Sequence, residues 1–142
     1  MWTPLEWTPP VWKNNPEYCA KQEALHGFEV DALYNAKTNS AYECFEENDT
    51  AFEKLLAKSH EESHGFRMQA LTQKDRDVVD GFFDYYKKKW LKTQRKYTMT
   101  DPDEFFADNM SFIEAWTFKE YNKEDKYLVK VFSKFIEYKS VK

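Results

Sequence analysis

The chain has 142 residues, of which 32% are charged and 18% aromatic, and its formal net charge is −4. This length predicts one domain of ordinary size, and the negative charge argues against a surface that binds nucleic acid over most of its area. The chain has only three glycines, so glycine-rich phosphate-binding loops are absent. No apolar run reaches the roughly 18 residues of a membrane span, and the N-terminal residues do not have the pattern of a signal peptide.

Residues 1–15 are predicted to be an extended N-terminal arm. Trp2, Trp7 and Trp12 recur at five-residue intervals among prolines, which disfavour a helix. Large apolar rings on an extended segment need a surface to lie on, and tryptophan is enriched at protein interfaces. We therefore predict that the arm lies on a surface made partly by another chain, with this chain's own helices as the alternative.

Residues 16–142 are predicted to form a helical domain. Asn15-Pro16-Glu17 is typical of a helix start, and this first helix is expected to reach about Lys37. Residues 40–48 fit either a short helix or a loop. Thr50–Glu53 is a capping box that opens a second helix, which we expect to end at His64 with Gly65 as its C-terminal cap.

The second half of the chain predicts three more helices. They are expected over residues 73–97, from Asp101 through Trp116, and from Asn122 onward, although residues 127–132 also fit a strand. The predicted fold class is therefore all-α, with four to five antiparallel helices and an extended Pro/Trp-rich N-terminal arm.

Residues 60–64, with the sequence His-Glu-Glu-Ser-His, resemble the H-E-x-x-H motif of the zincin metalloproteases. On a helix, His60 and His64 share a face, so both imidazoles could reach one zinc ion. The resemblance implies that Glu61 is the general base that activates water. The candidates for a third ligand are Glu104, Glu114 and Glu120.

The surroundings of this motif favour a simpler interpretation, in which residues 60–64 are the solvated last turn of a helix. The flanking residues are charged, the helix is expected to stop at Gly65, and no sheet that would align a peptide is predicted. We therefore predict no catalytic residues, no metal and no other cofactor, and keep His60 and His64 as the alternative zinc ligands.

Residues 86–97 contain six cationic side chains and no acidic one. This helical face could contact RNA phosphates, anionic lipid or an acidic subunit, with a solvated face as the alternative. The predicted partner-binding residues are Trp2, Trp7, Trp12, Lys87, Lys88, Lys92, Arg95 and Lys96. Cys19 and Cys44 are predicted to be reduced, buried thiols, with a single disulfide as the alternative in an oxidising compartment.

These patterns together predict an intracellular, non-catalytic accessory subunit that braces its neighbours in a large multiprotein assembly. Its aromatic-rich composition is similar in style to accessory subunits of mitochondrial respiratory-chain and ATP-synthase complexes. The alternatives are a small zinc-dependent hydrolase that uses residues 60–64, and a ribonucleoprotein subunit that contacts RNA through the helix over residues 87–96.

Overall fold

The computed structural model describes residues 7–27, 30–89, 97–115 and 126–140. The described chain is mostly helical, as predicted, but it also contains a small sheet. The helices are α1 (Pro16–His26), α2 (Ala51–Ala70), α3 (Gln73–Lys89), α4 (Pro102–Ala115) and α5 (Lys126–Ser140). The strands are β1 (Val11–Lys13), β2 (Ala32–Asn35) and β3 (Ser40–Glu43), and a 3-10 turn spans Tyr97–Met99.

The first helix ends at His26, so the prediction that it continues to about Lys37 is wrong. Its start is as predicted, because the side chain of Asn15 accepts a hydrogen bond from the backbone N–H of Tyr18 at 3.0 Å. It stops because Gly27 adopts a left-handed conformation with φ of 79°, and its N–H donates to the carbonyl of Glu23.

The segment after α1 forms a β-hairpin, which the helical prediction missed. Strand β3 lies at the centre of a three-stranded sheet, antiparallel to β2 and parallel to β1. Ala41 of β3 is opposite both Tyr34 of β2 and Trp12 of β1, and it is fully buried. Residues 11–13 of the predicted arm are therefore extended, but they belong to this sheet, and β2 is an edge strand within the described residues.

The second helix continues past Gly65, contrary to the prediction that it ends there. Its start is confirmed, because Oγ1 of Thr50 accepts a hydrogen bond from the N–H of Glu53 at 3.1 Å. A Cβ atom at position 65 would lie 3.1 Å from the hydroxyl oxygen of Tyr34 on β2. This glycine is thus explained by the close approach of the strand to the helix rather than by a C-terminal cap.

Aromatic rings fill the core between α2, α3, α4 and α5. Phe106 of α4 lies 5.7 Å from Phe132 and 5.8 Å from Phe135 of α5, measured between ring centroids. The other large buried rings of this core are Phe66, Phe83, Tyr86 and Phe105. Residues 127–132 are part of α5, so the helix was the correct alternative there.

Several sequence-based predictions fall outside the described residues. These are the continuation of the third helix through residues 90–96, the position of Trp116, and the helix start at Asn122. None of the helices within the described residues has the length and apolar character needed to cross a membrane.

The prediction of reduced thiols is wrong, because Cys19 and Cys44 form a disulfide. Once α1 has ended at Gly27, the chain returns through β2 and β3, and this brings the two cysteine Cα atoms to 5.6 Å. The bridge fixes α1 to the end of β3, next to a stacked pair of Tyr18 and Tyr42 whose ring centroids are 4.2 Å apart.

Candidate metal centre

Two neighbouring helices present pairs of polar side chains to each other at the same spacing. Helix α2 carries His60 and His64, and helix α4 carries Glu104 and Asp108, so each pair is separated by one helical turn. His60 contacts Asp108, and both histidines contact Glu104. The extension of α2 beyond Gly65 is what keeps His64 inside a regular helix, facing α4.

Three donor atoms converge in this cluster. The Nε2 atoms of His60 and His64 are 3.1 Å apart, and Oε1 of Glu104 lies 2.7 Å from Nε2 of His64 and 3.3 Å from Nε2 of His60. Ligands placed tetrahedrally about 2.0–2.1 Å from a zinc ion lie about 3.3 Å from one another. The separation between His60 and Glu104 matches this value, whereas the two shorter separations are also those of hydrogen-bonded pairs. Two histidines with one glutamate are a ligand set that catalytic zinc sites use.

Asp108 orients the first of these ligands. Its Oδ1 atom lies 2.9 Å from Nδ1 of His60, and its Oδ2 atom accepts a hydrogen bond from Oγ1 of Thr98 at 2.7 Å. The hydrogen bond to Asp108 places a proton on Nδ1 of His60, so Nε2 is the nitrogen that would bind a metal ion once it has given up its own proton. A carboxylate that fixes the tautomer of a ligating histidine in this way is a regular feature of zinc sites.

Glu61 lies beside the cluster without forming part of its convergent triad. It is buried, and one of its carboxylate oxygens is within 4.8 Å of a ring nitrogen of each histidine. Burial raises the pKa of Glu61, and the two nearby histidines oppose that shift.

The surrounding carboxylates make this cluster favourable for a positive charge. Burial by itself lowers the pKa of His60, but hydrogen bonds to Asp108 and Glu104 outweigh that effect and raise it to about 10.

A cleft of about 420 Å³ opens next to His60 and Glu61. Helices α2 and α4 form two of its walls, and the segment that leads into β2 forms the third. Its lining includes Asp31, Leu33, Leu56 and Phe112. Ala32 and Leu33 of β2, an edge strand within the described residues, also line it.

The described part of the N-terminal arm packs against this chain's own helices. The indole N–H of Trp7 donates to the carbonyl of Lys139 at 3.0 Å, and the Trp7 ring lies 5.4 Å from the ring of Phe66. The indole N–H of Trp12 lies 3.4 Å from Glu62, which is on α2. These two rings contact the side of α2 that carries Glu62 and Phe66, away from the metal cluster.

Lys87 and Lys88, two of the predicted partner-binding residues, do not join the metal centre. Lys87 and Lys88 are exposed on α3, and Lys87 lies 5.5 Å from the ring centroid of Phe83. Trp2, Lys92, Arg95 and Lys96 lie outside the described residues.

Sequence reasoning identified the two histidines and Glu61, but it missed Asp108 and Thr98. Glu104 was one of three candidate ligands. Of the others, Glu114 contacts Lys139 instead, and Glu120 lies outside the described residues. The signal that could have selected Glu104 is the second pair of ligand-type residues at i and i+4, because Glu104 and Asp108 repeat the spacing of His60 and His64.

No protein-family model matches this sequence, and neither a curated protein nor a solved structure matches it.

Proposed function

We propose that this protein is a zinc-dependent peptide hydrolase whose site lies between α2 and α4. The observation that carries the proposal is the convergence of three donor atoms, from His60, His64 and Glu104, within 3.3 Å of one another. The resemblance of residues 60–64 to the zincin motif implies two histidine ligands, a third ligand from elsewhere in the chain, and Glu61 beside them. This donor set has that composition.

Each residue of the cluster has a defined role. His60, His64 and Glu104 hold the metal, for which two imidazoles and one carboxylate favour zinc. Bound zinc supplies Lewis-acid polarisation of a carbonyl group and lowers the pKa of a water molecule. Glu61 accepts the proton of the attacking water and returns it to the leaving amine. Asp108 is a positioning residue that holds the ring of His60.

An extended peptide suits the cleft better than a compact ligand does. Residues of the edge strand β2 line the cleft, and a strand edge offers backbone N–H and C=O groups to an added strand. In this proposal, a peptide paired with β2 would enter the cleft that Glu61 also lines. The backbone hydrogen bonds supply affinity, and the side-chain pockets of the cleft supply selectivity.

The test combines metal analysis with a cleavage assay on the purified chain. We expect one zinc per chain and zinc-dependent cleavage within a library of unstructured peptides. The Glu61→Gln variant should retain zinc but lose activity by about 10²–10⁴-fold, the usual contribution of a general base. Glu62→Gln is the matched control, because Glu62 is the next residue of the same helix but contacts Trp12 instead. Full activity in Glu61→Gln, or a zinc-free chain in the presence of excess zinc, would refute the proposal.

The accessory-subunit role, and with it the intracellular or mitochondrial location, stays a prediction. Trp7 and Trp12 have contacts within this chain, so the case for a partner surface now depends on Trp2 and on the exposed cations of α3. Affinity purification from the native source tests it. Stoichiometric co-purifying subunits would favour an assembly, and recovery of the chain alone would oppose one. Co-purifying RNA would favour the ribonucleoprotein alternative.

A further inference from the structure

We propose that the disulfide between Cys19 and Cys44 is a redox-sensitive clamp that holds α1 and one wall of the cleft in place. Reduction of the disulfide releases α1 and loosens that wall without disturbing the zinc ligands. The release of α1 does not depend on the proposed hydrolase function, whereas its consequence for peptide binding does.

Helix α1 buries little of its surface against the rest of the chain. All of its residues are described, and Cys19 is the only one of them that is buried. Leu25 of the same helix is 74% exposed. Helices shorter than about 12–15 residues are only marginally stable by themselves in water. The stack of Tyr18 on Tyr42 adds one aromatic contact, so the covalent bond at Cys19 is the strongest attachment of α1 that the structure shows.

The loop that the disulfide closes contains one wall of the cleft. Cys19 and Cys44 are separated by 25 residues, and His26, Asp31 and Leu33 between them line the cleft. The N–H of Cys44 donates to the carbonyl oxygen of Asp31 at 2.9 Å, so a bridged residue itself contacts this wall. If the bridge acts by restricting chain entropy, closing a loop of this length favours the clamped arrangement by roughly 100-fold.

The zinc ligands lie outside this loop. His60 and His64 belong to α2 and Glu104 belongs to α4. The buried side chains of the core that joins these helices begin at Phe66 and therefore also come after the loop. Reduction consequently acts on the wall of the cleft rather than on the metal centre.

The disulfide is accessible to a reductant. Both cysteines line a second cleft of about 500 Å³, and Cys44 is only partly buried. One thiolate of a dithiol attacks Sγ of Cys44, the bond to Cys19 breaks, and Cys19 leaves as a thiolate that takes up a proton. The second thiol of the reductant then displaces Cys44. The dithiol is thereby oxidised to a disulfide, and two protonated cysteines remain in the protein.

The test measures hydrogen exchange at individual amides of the zinc-loaded full chain. The oxidised chain is compared with the same chain after reduction by a dithiol and removal of the reductant without oxygen. We expect the protection of the α1 amides and of the Cys44 amide to fall by about 10–100-fold. The amides of α2 and α4 should keep their protection, and the zinc content should stay at one per chain.

The variant with both Cys19→Ser and Cys44→Ser is the matched control. It should show the loosened exchange pattern before any reductant is added, and the dithiol should not change that pattern. Because reduction of the unmodified chain makes the same measurement, the test does not depend on the folding of this variant.

Unchanged exchange in α1 and at Cys44 after reduction would overturn the proposal. A parallel loss of protection in α2 and α4 would overturn it too, because the bridge would then stabilise the whole chain rather than one wall.

Peptide binding to the zinc-loaded Glu61→Gln chain tests the consequence for the cleft. We expect the affinity for an unstructured peptide to fall by about tenfold on reduction, since a loosened wall must be ordered again when the peptide binds. Equal affinities in the two states overturn the control of the cleft and leave the hydrolase proposal standing. If no peptide binds in either state, the hydrolase proposal fails, and the exchange of α1 still decides whether the disulfide is a clamp.

Discussion

Helix α2 carries a cluster of polar side chains on each of two sides, and the clusters are built differently. On one side, Nζ of the buried Lys139 lies 2.8 Å from Glu114 and 3.3 Å from Oγ of Ser59, and the Ser59 hydroxyl also contacts Glu114. On the other side, the two histidines of α2 face two carboxylates of α4.

We propose that the difference separates a structural cluster from a functional one. The cluster around Lys139 contains its own cation, so its charges are compensated within the chain, and it joins α5 to α2. The metal cluster directs two imidazoles and a carboxylate at one point, and its surroundings favour a positive charge. The zinc proposal adds a bound cation to the second cluster, where the carboxylates already raise the pKa of His60.

The largest expected effect is on metal affinity when a ligand is removed. His64→Ala should weaken zinc binding by more than about 100-fold. This exceeds the effect of replacing a residue that only orients a ligand, which is about 10- to 100-fold. Competition with a chromophoric chelator measures this. His26→Ala is the matched control, because His26 lines the cleft without reaching the donor atoms. If His64→Ala and His26→Ala bind zinc equally well, the distinction between the two clusters fails.

The next effect is on stability, and it belongs to the other cluster. Lys139→Met removes the cation and should lower the free energy of unfolding by about 2–3 kcal/mol. This is less than the cost of breaking a fully buried ion pair, because the side chains of Glu114 and Glu62 are 28% and 31% exposed to solvent. Urea titration measures it, with the exposed Lys134→Met as control.

The zinc content of the folded Lys139→Met chain should stay at one per chain. A stability loss equal to that of Lys134→Met, or a parallel loss of zinc, would contradict the assignment of separate roles to the two clusters.

A smaller change in zinc affinity is expected from Asp108→Asn. The loss of charge next to Nδ1 of His60 should weaken zinc binding by about tenfold, the lower end of the range for groups that orient a ligand. Asp103 lies on the same helix but contacts Arg67, so Asp103→Asn should leave zinc affinity unchanged. If Asp103→Asn weakens zinc binding more than Asp108→Asn does, the contact between Asp108 and His60 does not determine zinc affinity.

The local signals in the sequence predicted the beginnings of elements better than their ends. Asn15 and Thr50 cap helices because their side chains bond to amides within the next three residues, and that chemistry is visible in the sequence. The roles of Gly27 and Gly65 depend on what lies nearby in three dimensions. Gly27 adopts a left-handed conformation and ends a helix that was expected to continue to about Lys37, whereas Gly65, the expected cap, stays helical and allows Tyr34 of β2 to approach.

For the candidate site, too, the sequence predicted the local part but not the part that depends on packing between helices. The spacing of His60 and His64 is local and was recognised. Their pairing with Glu104 depends on how α2 packs against α4, and no spacing within either helix specifies that packing. The disulfide between Cys19 and Cys44 was missed for a related reason, because their proximity requires α1 to end early and the hairpin to form.

The smallest expected effect concerns the arm. Trp12→Phe keeps most of the ring but removes the indole N–H near Glu62, so the free energy of unfolding should fall by about 0.5–1 kcal/mol. Trp7→Phe should have a similar or larger effect, since its hydrogen bond to the carbonyl of Lys139 is shorter. Chemical denaturation of the isolated chain measures both. No effect from either substitution would mean that these indoles do not rest on their own chain, and it would strengthen the accessory-subunit prediction.

X-ray absorption spectroscopy at the zinc edge of the purified, zinc-loaded chain tests the central claim most directly. The account predicts a first shell of two imidazole nitrogens with one or two oxygens at about 2.0–2.1 Å and no sulfur. A shell that contains sulfur at about 2.3 Å would place the metal on the cysteines, and a six-oxygen shell would indicate surface binding. Either result would contradict a zinc site formed by His60, His64 and Glu104.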